Sequence, residues 1–143
     1  MKKIFIASDH AGFELKNYLV QQLKEQFSVA DLGAESIDSV DYPDYAQSLS
    51  KNVLADNNSI GILMCGSGIG MSISANRFKG IRAALVWNEE VAKLSRQHNN
   101  SNVLVLPARF MTKEEALKIV NSWLLTEFEG GRHEKRVSKI ELH

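Results

Sequence analysis

Residues 60–70 read Ile-Gly-Ile-Leu-Met-Cys-Gly-Ser-Gly-Ile-Gly, an apolar run that ends in a cysteine and opens into a glycine-rich loop. A continuous apolar run of this length is typical of a parallel strand that is covered on both faces. The glycines after it can adopt positive φ and let backbone N–H groups approach a ligand closely. The stretch therefore predicts a buried strand, a tight turn and a helix, the repeating unit of α/β proteins.

The same alternation of short apolar runs and longer amphipathic stretches extends along the chain. Strands are predicted at residues 3–8, 28–32, 60–65, 82–87 and 102–106. One helix is predicted after residue 70, and another carries the i+4 repeat of Leu15, Leu19, Leu23 and Phe27. Further helices are predicted over residues 43–55, 89–97 and 113–128, and a last one begins at Arg132. Gly130-Gly131 is predicted to end the helix over 113–128, and residues 33–41 to form a loop. We therefore expect one domain over residues 1–143: a Rossmann-like, doubly wound, five-stranded parallel sheet with helices on both faces.

Composition excludes several classes of protein. The 143 residues are 44% hydrophobic and 24% charged, as in ordinary globular proteins and unlike disordered chains. Seventeen basic residues balance seventeen acidic ones without a long basic block, so neither nucleic acid nor an anionic membrane is the expected partner. The single cysteine excludes an internal disulfide, and no apolar run is long enough for a signal sequence or a membrane span. We expect a cytoplasmic protein with a reduced thiol.

Polar residues follow the predicted strands at the edge where such sheets bind ligands. Asp9 and His10 follow the first strand, Cys65 ends the third, and Arg109 follows the fifth. In doubly wound sheets the carboxyl ends of the strands line the ligand crevice, at a switch in strand order. We therefore expect these side chains to share one edge.

The glycine loop favours an anion, because the N–H groups of a turn that leads into a helix point toward a ligand. It is neither a phosphate-binding loop of the Gly-Lys-Ser/Thr kind nor a dinucleotide fingerprint. It is not a cysteine-phosphatase loop either, because position 71 is Met rather than Arg. The thiol before it is either activated by those N–H groups or a small buried apolar side chain, and the loop alone leaves both possibilities open.

The basic residues and histidines outside the loop have two possible roles each. Arg132 and Arg136 lie one helical turn apart, an arrangement that suits a phosphate group or a solvated helix. His98 is either a helix C-cap or an acid–base group. His133 is expected to face solvent, and the terminal His143 to be disordered. Two histidines, one acid and one thiol do not predict a metal site.

Five motifs together are more specific than any one of them. They are Ser-Asp-His-Ala-Gly at 8–12, Asp-Tyr-Pro at 41–43, the loop at 65–70, Ser-Arg-Gln-His-Asn at 95–99, and Gly-Gly-Arg-His-Glu-Lys-Arg-Val at 130–137. In this order, across almost the whole chain, they resemble the ribose-5-phosphate isomerase B family. That family also includes allose-6-phosphate isomerase and the galactose-6-phosphate isomerase subunits.

The resemblance implies a reaction of the pentose phosphate pathway, the interconversion of D-ribose 5-phosphate and D-ribulose 5-phosphate through a cis-enediolate, without metal or cofactor. By this similarity Cys65 is the base, and Ser67 assists proton transfer at the oxygens. His98 opens the furanose ring, aided by Asp9.

The resemblance also implies how the substrate is held. The residues that bind the sugar and its phosphate are Asp9, His10, Tyr42, Gly66, Ser67, Gly68, Ile69, Gly70, Asn99, Arg109, Arg132 and Arg136. Among them, His10 and the three arginines take the phosphate, and backbone N–H groups of the loop take the enediolate oxygen. Family members are homodimers or homotetramers in which His98, Asn99 and Arg109 reach into the neighbour's site.

Two alternatives stay open. The same chemistry could act on allose 6-phosphate or galactose 6-phosphate, and the loop at 33–41 could accommodate one more carbon. The galactose system divides the motifs between two subunits, whereas this chain has the cysteine loop and the Gly-Gly-Arg-His segment together. The second alternative is a non-catalytic phosphosugar-binding module that uses the same anion site.

Overall fold

The apolar runs form one parallel sheet. The computed structural model describes residues 2–141, and its strands are β1 (Lys3–Ser8), β2 (Val29–Asp31), β3 (Ser59–Cys65), β4 (Ala83–Leu85) and β5 (Val103–Pro107). They pair in parallel in the order β2-β1-β3-β5-β4. The predicted five-stranded parallel sheet is thereby confirmed.

Helices connect the strands, and most begin where the sequence predicts. They are α1 (Phe13–Leu23), α2 (Tyr42–Ala55), α3 (Ile69–Ala75), α4 (Glu89–Gln97), α5 (Lys113–Leu125) and α6 (Arg132–Ser138), with short 3-10 turns at His10–Gly12 and Ala108–Phe110. The predicted end of α5 is wrong, because Thr126 is already extended (φ −101°, ψ 133°). Gly130 and Gly131, at φ +67° and +54°, turn the chain into α6 instead of ending α5.

The core has two halves, one on each face of the sheet. Strand side chains alternate between faces, so Ile4 and Ile6 pack with residues of α1, α4 and α5. Phe5 and Ala7 pack on the other face with residues of α2 and α3. Helices on both faces are therefore confirmed. Within residues 2–141, none of the helices combines the length and the apolar character needed to cross a membrane.

The direction of the strands gives the sheet two distinct edges. We call the edge where the strands end the carboxyl edge and the opposite one the amino edge. Each helix that follows a strand starts at the carboxyl edge and returns to the amino edge, where the next strand begins. The strand order reverses between β1 and β3, so the turns after these two strands flank the crevice in which such sheets bind ligands.

Candidate active site

Asp9 follows β1 at the carboxyl edge and is held by the turn that it begins. Its Oδ1 atom accepts hydrogen bonds from the N–H groups of Ala11 (3.0 Å) and Gly12 (3.2 Å). The backbone N–H of Asp9 donates to the carbonyl oxygen of Met64 in β3 at 3.4 Å. These bonds fix a buried carboxylate in one orientation beside the end of β3.

His10 is oriented by the loop at residues 33–41. The backbone N–H of Val40 donates to Nδ1 of His10 at 3.2 Å. A ring nitrogen that accepts a hydrogen bond is unprotonated, so the neutral ring carries its proton on Nε2. Nε2 is then the atom that can donate to a phosphate or hydroxyl oxygen, and the loop is tied to the site through the same ring.

Cys65 is the last residue of β3 and pairs with Pro107 of β5. It is 5% exposed and belongs to the apolar cluster beneath α2 and α3. The chain turns immediately after it, and Gly68 adopts φ +77°, where other residues are strained. A Cβ atom at position 68 would also lie 2.5 Å from Cδ1 of Leu85. The thiol thus sits where the core meets the glycine loop.

Two other glycines let large side chains lie directly on the loop backbone. A Cβ atom at position 66 would lie 2.9 Å from Nη1 of Arg109, and one at position 70 would lie 2.5 Å from Cε1 of Tyr42. The backbone N–H of Arg109 also donates to the carbonyl oxygen of Gly66 at 3.0 Å. The loop therefore has a guanidinium group and a phenol ring of its own chain against Gly66 and Gly70.

Like Ile69, Ser67 is exposed on the glycine loop. Its Oγ atom accepts a hydrogen bond from the backbone N–H of Ile69 at 3.2 Å. Because the oxygen is the acceptor in that bond, the bond does not use the hydroxyl proton of Ser67. Ser67 can therefore donate to an oxygen atom bound above the loop.

The amino edge holds a second group, here called the histidine cluster: His98, Glu129 and His133. Nε2 of His133 lies 3.5 Å from Oε1 of Glu129, and Nε2 of His98 lies 4.0 Å from the same oxygen. The two imidazole rings are stacked, with centroids 4.3 Å apart and an angle of 14° between their planes. The backbone N–H of Glu129 donates to the carbonyl oxygen of Gln97 at 3.1 Å, which fastens this segment to the end of α4.

The expectation that His133 faces solvent is wrong. The residue is 8% exposed, because the turn at Gly130 and Gly131 folds it against His98. Burial lowers the pKa of His133, and the positive charges of His98, Arg132 and Arg136 lower it further. The carboxylate of Glu129 acts in the opposite direction. The lowered pKa favours the neutral form of His133 in the folded chain.

Sequence reasoning also missed Glu129. The signal for it is the spacing of four residues between Glu129 and His133, which puts the two side chains together once the two glycines turn the chain. The prediction that His143 is disordered concerns a residue outside those that the structure describes.

Asn99, Arg132 and Arg136 are exposed near the histidine cluster. Asn99 lines a groove of about 600 Å³ together with Arg82 and Ile140. Helix α6, which carries both arginines, packs only lightly against the other helices and strands. These side chains are therefore accessible to a ligand or to another molecule.

Within one chain, Arg109 lies apart from His98 and Asn99, with which the resemblance groups it. Arg109 lies on Gly66 at the carboxyl edge, whereas His98 closes α4 at the amino edge. The reason is topological: Arg109 follows the end of β5, while His98 and Asn99 precede its start. The five residues of β5 separate its two ends by about 13 Å.

The predicted site residues thus fall into two sets. The carboxyl edge has Asp9, His10, Tyr42, Cys65, Gly66, Ser67, Gly68, Ile69, Gly70 and Arg109. The amino edge has His98, Asn99, Arg132 and Arg136. One set contains the thiol and the anion-favouring loop, and the other contains the histidine, the amide and two guanidinium groups.

Comparison with known proteins identifies the family of the chain. The family model described as Ribose/Galactose Isomerase matches residues 4–140. A probable ribose-5-phosphate isomerase B from Mycoplasma pneumoniae is 51% identical over 139 residues, which cover 96% of this chain and 91% of that protein. The crystal structure of a ribose 5-phosphate isomerase from Thermotoga maritima superposes with a TM-score of 0.95 at 51% identity, covering 97% of both chains.

A third relative has a ligand. The crystal structure of ribose-5-phosphate isomerase B from Mycoplasma genitalium, with bound ribulose-5-phosphate, has a TM-score of 0.93 and 48% identity, covering 96% of this chain and 93% of that one. The protein is an isomerase enzyme with an α/β fold. It belongs to the ribose/galactose isomerase family, and the resemblance to ribose-5-phosphate isomerase B that the five motifs indicate is confirmed.

The lowered pKa of His133 predicts how stability depends on pH. The unfolded chain binds a proton at His133 at higher pH than the folded chain does, so the contribution of this residue is complete above about pH 6.5 and is lost as pH falls through the folded pKa. Urea unfolding between pH 7.5 and pH 5 should show a smaller loss of stability for His133→Asn than for wild type. Identical pH slopes in the two proteins would contradict the burial of a neutral imidazole.

Proposed function

We propose that the protein interconverts D-ribose 5-phosphate and D-ribulose 5-phosphate through a cis-enediolate. The observation that supports this most strongly is the position of Cys65 directly before a glycine loop that has Arg109 against Gly66. A base, a set of amide donors and a cation for the phosphate are what an aldose–ketose isomerisation needs. The ribulose-5-phosphate in the Mycoplasma genitalium relative supports the choice of a five-carbon substrate.

In the proposed reaction the thiolate of Cys65 removes the proton on C2 of the open-chain aldose. The electron pair of that C–H bond forms the C1–C2 double bond, and negative charge develops on the carbonyl oxygen O1. The thiol returns its proton to C1, while the hydroxyl proton moves from O2 to O1 with the help of Ser67, which leaves a carbonyl at C2. Backbone N–H groups of the loop stabilise the oxyanion, an effect worth about 2.7–4 kcal/mol per donor in other enzymes.

Before that step the furanose ring must open. We assign this to His98, which donates a proton to the ring oxygen, while Asp9 accepts from a sugar hydroxyl and Asn99 orients the sugar. His10, Arg109, Arg132 and Arg136 hold the phosphate, and Tyr42 lines the site. Because the phosphate is remote from C1 and C2, its binding energy positions the reacting carbons.

These roles require two copies of the chain for each site. Cys65 and His98 lie at opposite edges of one sheet, about 13 Å or more apart along the strands. Both act on the same five-carbon sugar, so they cannot meet within one subunit. We propose a homodimer, or a homotetramer built from such dimers, in which the carboxyl edge of one chain faces the amino edge of another.

A six-carbon sugar phosphate is the second candidate substrate, because the matching family model covers galactose isomerases as well. The bond from Val40 to His10 ties the loop at residues 33–41 to the phosphate side of the site, which favours the shorter sugar. We expect kcat/KM for ribose 5-phosphate to exceed that for allose 6-phosphate and galactose 6-phosphate. A higher value for either six-carbon sugar would reverse the assignment.

Replacing Cys65 tests the base. Cys65→Ala should lower kcat by about 100-fold to 10,000-fold, because it removes the group that takes the C2 proton. Binding of ribulose 5-phosphate, measured by calorimetry, should persist because the loop and the arginines remain. Full turnover in this variant would show that the thiol is not the base. A non-catalytic binding module would instead bind ribulose 5-phosphate without any turnover in the wild-type protein.

Mixing inactive variants tests the shared site. Cys65→Ala and His98→Ala chains mixed under subunit exchange should regain about a quarter of wild-type activity, since half the dimers are mixed and one of their two sites is intact. The matched control is Cys65→Ala with Arg109→Ala, whose changes lie on the same edge and should give no recovery above the separate variants. Recovery in the control but not in the first mixture would contradict the edge assignment.

A further inference from the structure

The histidine cluster has more metal-ligating groups than ring opening needs. Its two imidazole nitrogens and one carboxylate oxygen all lie within 4.8 Å of one another. They come from separate segments, with His98 at the end of α4, Glu129 before the turn and His133 in α6. The proposed ring opening uses only His98, which leaves Glu129 and His133 without a chemical role.

The donor set suits a borderline divalent ion. Two histidines and one carboxylate are a frequent zinc ligand set, and they leave one position open to water or another ligand. Ligand atoms around tetrahedral zinc lie about 3.3 Å apart, since each is about 2.0–2.1 Å from the metal. The distances to Glu129 of 3.5 Å and 4.0 Å are close to this value.

An ion bound by both histidines requires the ring of His98 to turn out of the stack, because the nitrogen lone pairs of two rings with 14° between their planes do not point at one ion. The side chain of His133 is 10% exposed and fixed by packing, whereas those of His98 and Glu129 are 38% and 51% exposed and can rotate. The positive charge of Arg132 and Arg136, which act on His133, opposes a dication. A reversible site weaker than structural zinc sites is therefore expected.

We infer that His98, Glu129 and His133 form a binding site for a divalent transition-metal ion such as Zn²⁺. A metal ion on Nε2 of His98 occupies the nitrogen that would give its proton to the ring oxygen. Zn²⁺ therefore acts as a reversible inhibitor of isomerisation. The inhibition rests on the proposed role of His98, whereas the metal site itself does not.

Binding is tested with Co²⁺ on the full-length protein after chelator treatment, because the visible absorption of Co²⁺ reports its ligands. We expect one Co²⁺ per chain, displaced by Zn²⁺. Glu129→Gln and His133→Asn should each weaken binding about tenfold or more, since each removes one of three ligands. The matched control is Glu127→Gln, an exposed carboxylate in the same segment, which should bind Co²⁺ like wild type.

Activity gives the second readout. Zn²⁺ should lower the rate of ribose 5-phosphate isomerisation over the concentrations at which it displaces Co²⁺, and a chelator should restore the rate. Absence of Co²⁺ binding would overturn the site. So would a cobalt–thiolate band that is lost in Cys65→Ala and kept in Glu129→Gln, because the metal would then be on the thiol. Cobalt binding by the cluster in a chain without isomerase activity would support the site and overturn the proposed function.

Discussion

The parallel pairing of β1, β3 and β5 is the constraint on which the rest of the structure depends. Because these strands run in one direction, the turns after them meet at the carboxyl edge, and Asp9, Cys65 and Arg109 come together there. The same direction sends α4 back to the amino edge and takes His98 with it. Strand polarity thus assembles one half of the proposed site within a chain and keeps the other half away from it.

Close packing on the glycine loop is the second constraint. At Gly66 and Gly70 the absence of a side chain leaves room for Arg109 and Tyr42, and at Gly68 it permits a positive φ. These glycines therefore serve steric purposes as well as exposing backbone N–H groups. Any side chain at position 66 would displace the guanidinium group from the backbone beside the thiol, so the charge near the loop depends on that glycine.

Much of this fold follows from sequence pattern, because buried parallel strands are continuous apolar runs. The bounds of β1 and α4 are as predicted, since apolar runs and capping residues mark both clearly. The strand predicted at residues 82–87 is shorter, at Ala83–Leu85. It lies at the edge of the sheet, where the side chain of Asn76 bonds both the N–H and the carbonyl oxygen of Ala83 in place of a neighbouring strand.

The site was harder to predict than the fold. Residues that follow strands, such as Asp9 and Cys65, are recognisable because strand ends line the ligand crevice. The histidine cluster depends instead on two positive-φ glycines that bring His133 onto His98, and no periodicity in the sequence reports such a turn. The edge on which Arg109 lies is recognisable in the same way as that of Asp9 and Cys65, because Arg109 follows the predicted fifth strand.

The most direct test of this account is a crystal structure of the protein grown with ribulose 5-phosphate. The account predicts that each sugar lies between two chains, with C1 and C2 near the sulfur of Cys65 of one subunit and the imidazole of His98 of its partner within reach of the sugar hydroxyls. A sugar contacted by the residues of a single chain, with the His98 side chains of both subunits turned to solvent, would contradict it.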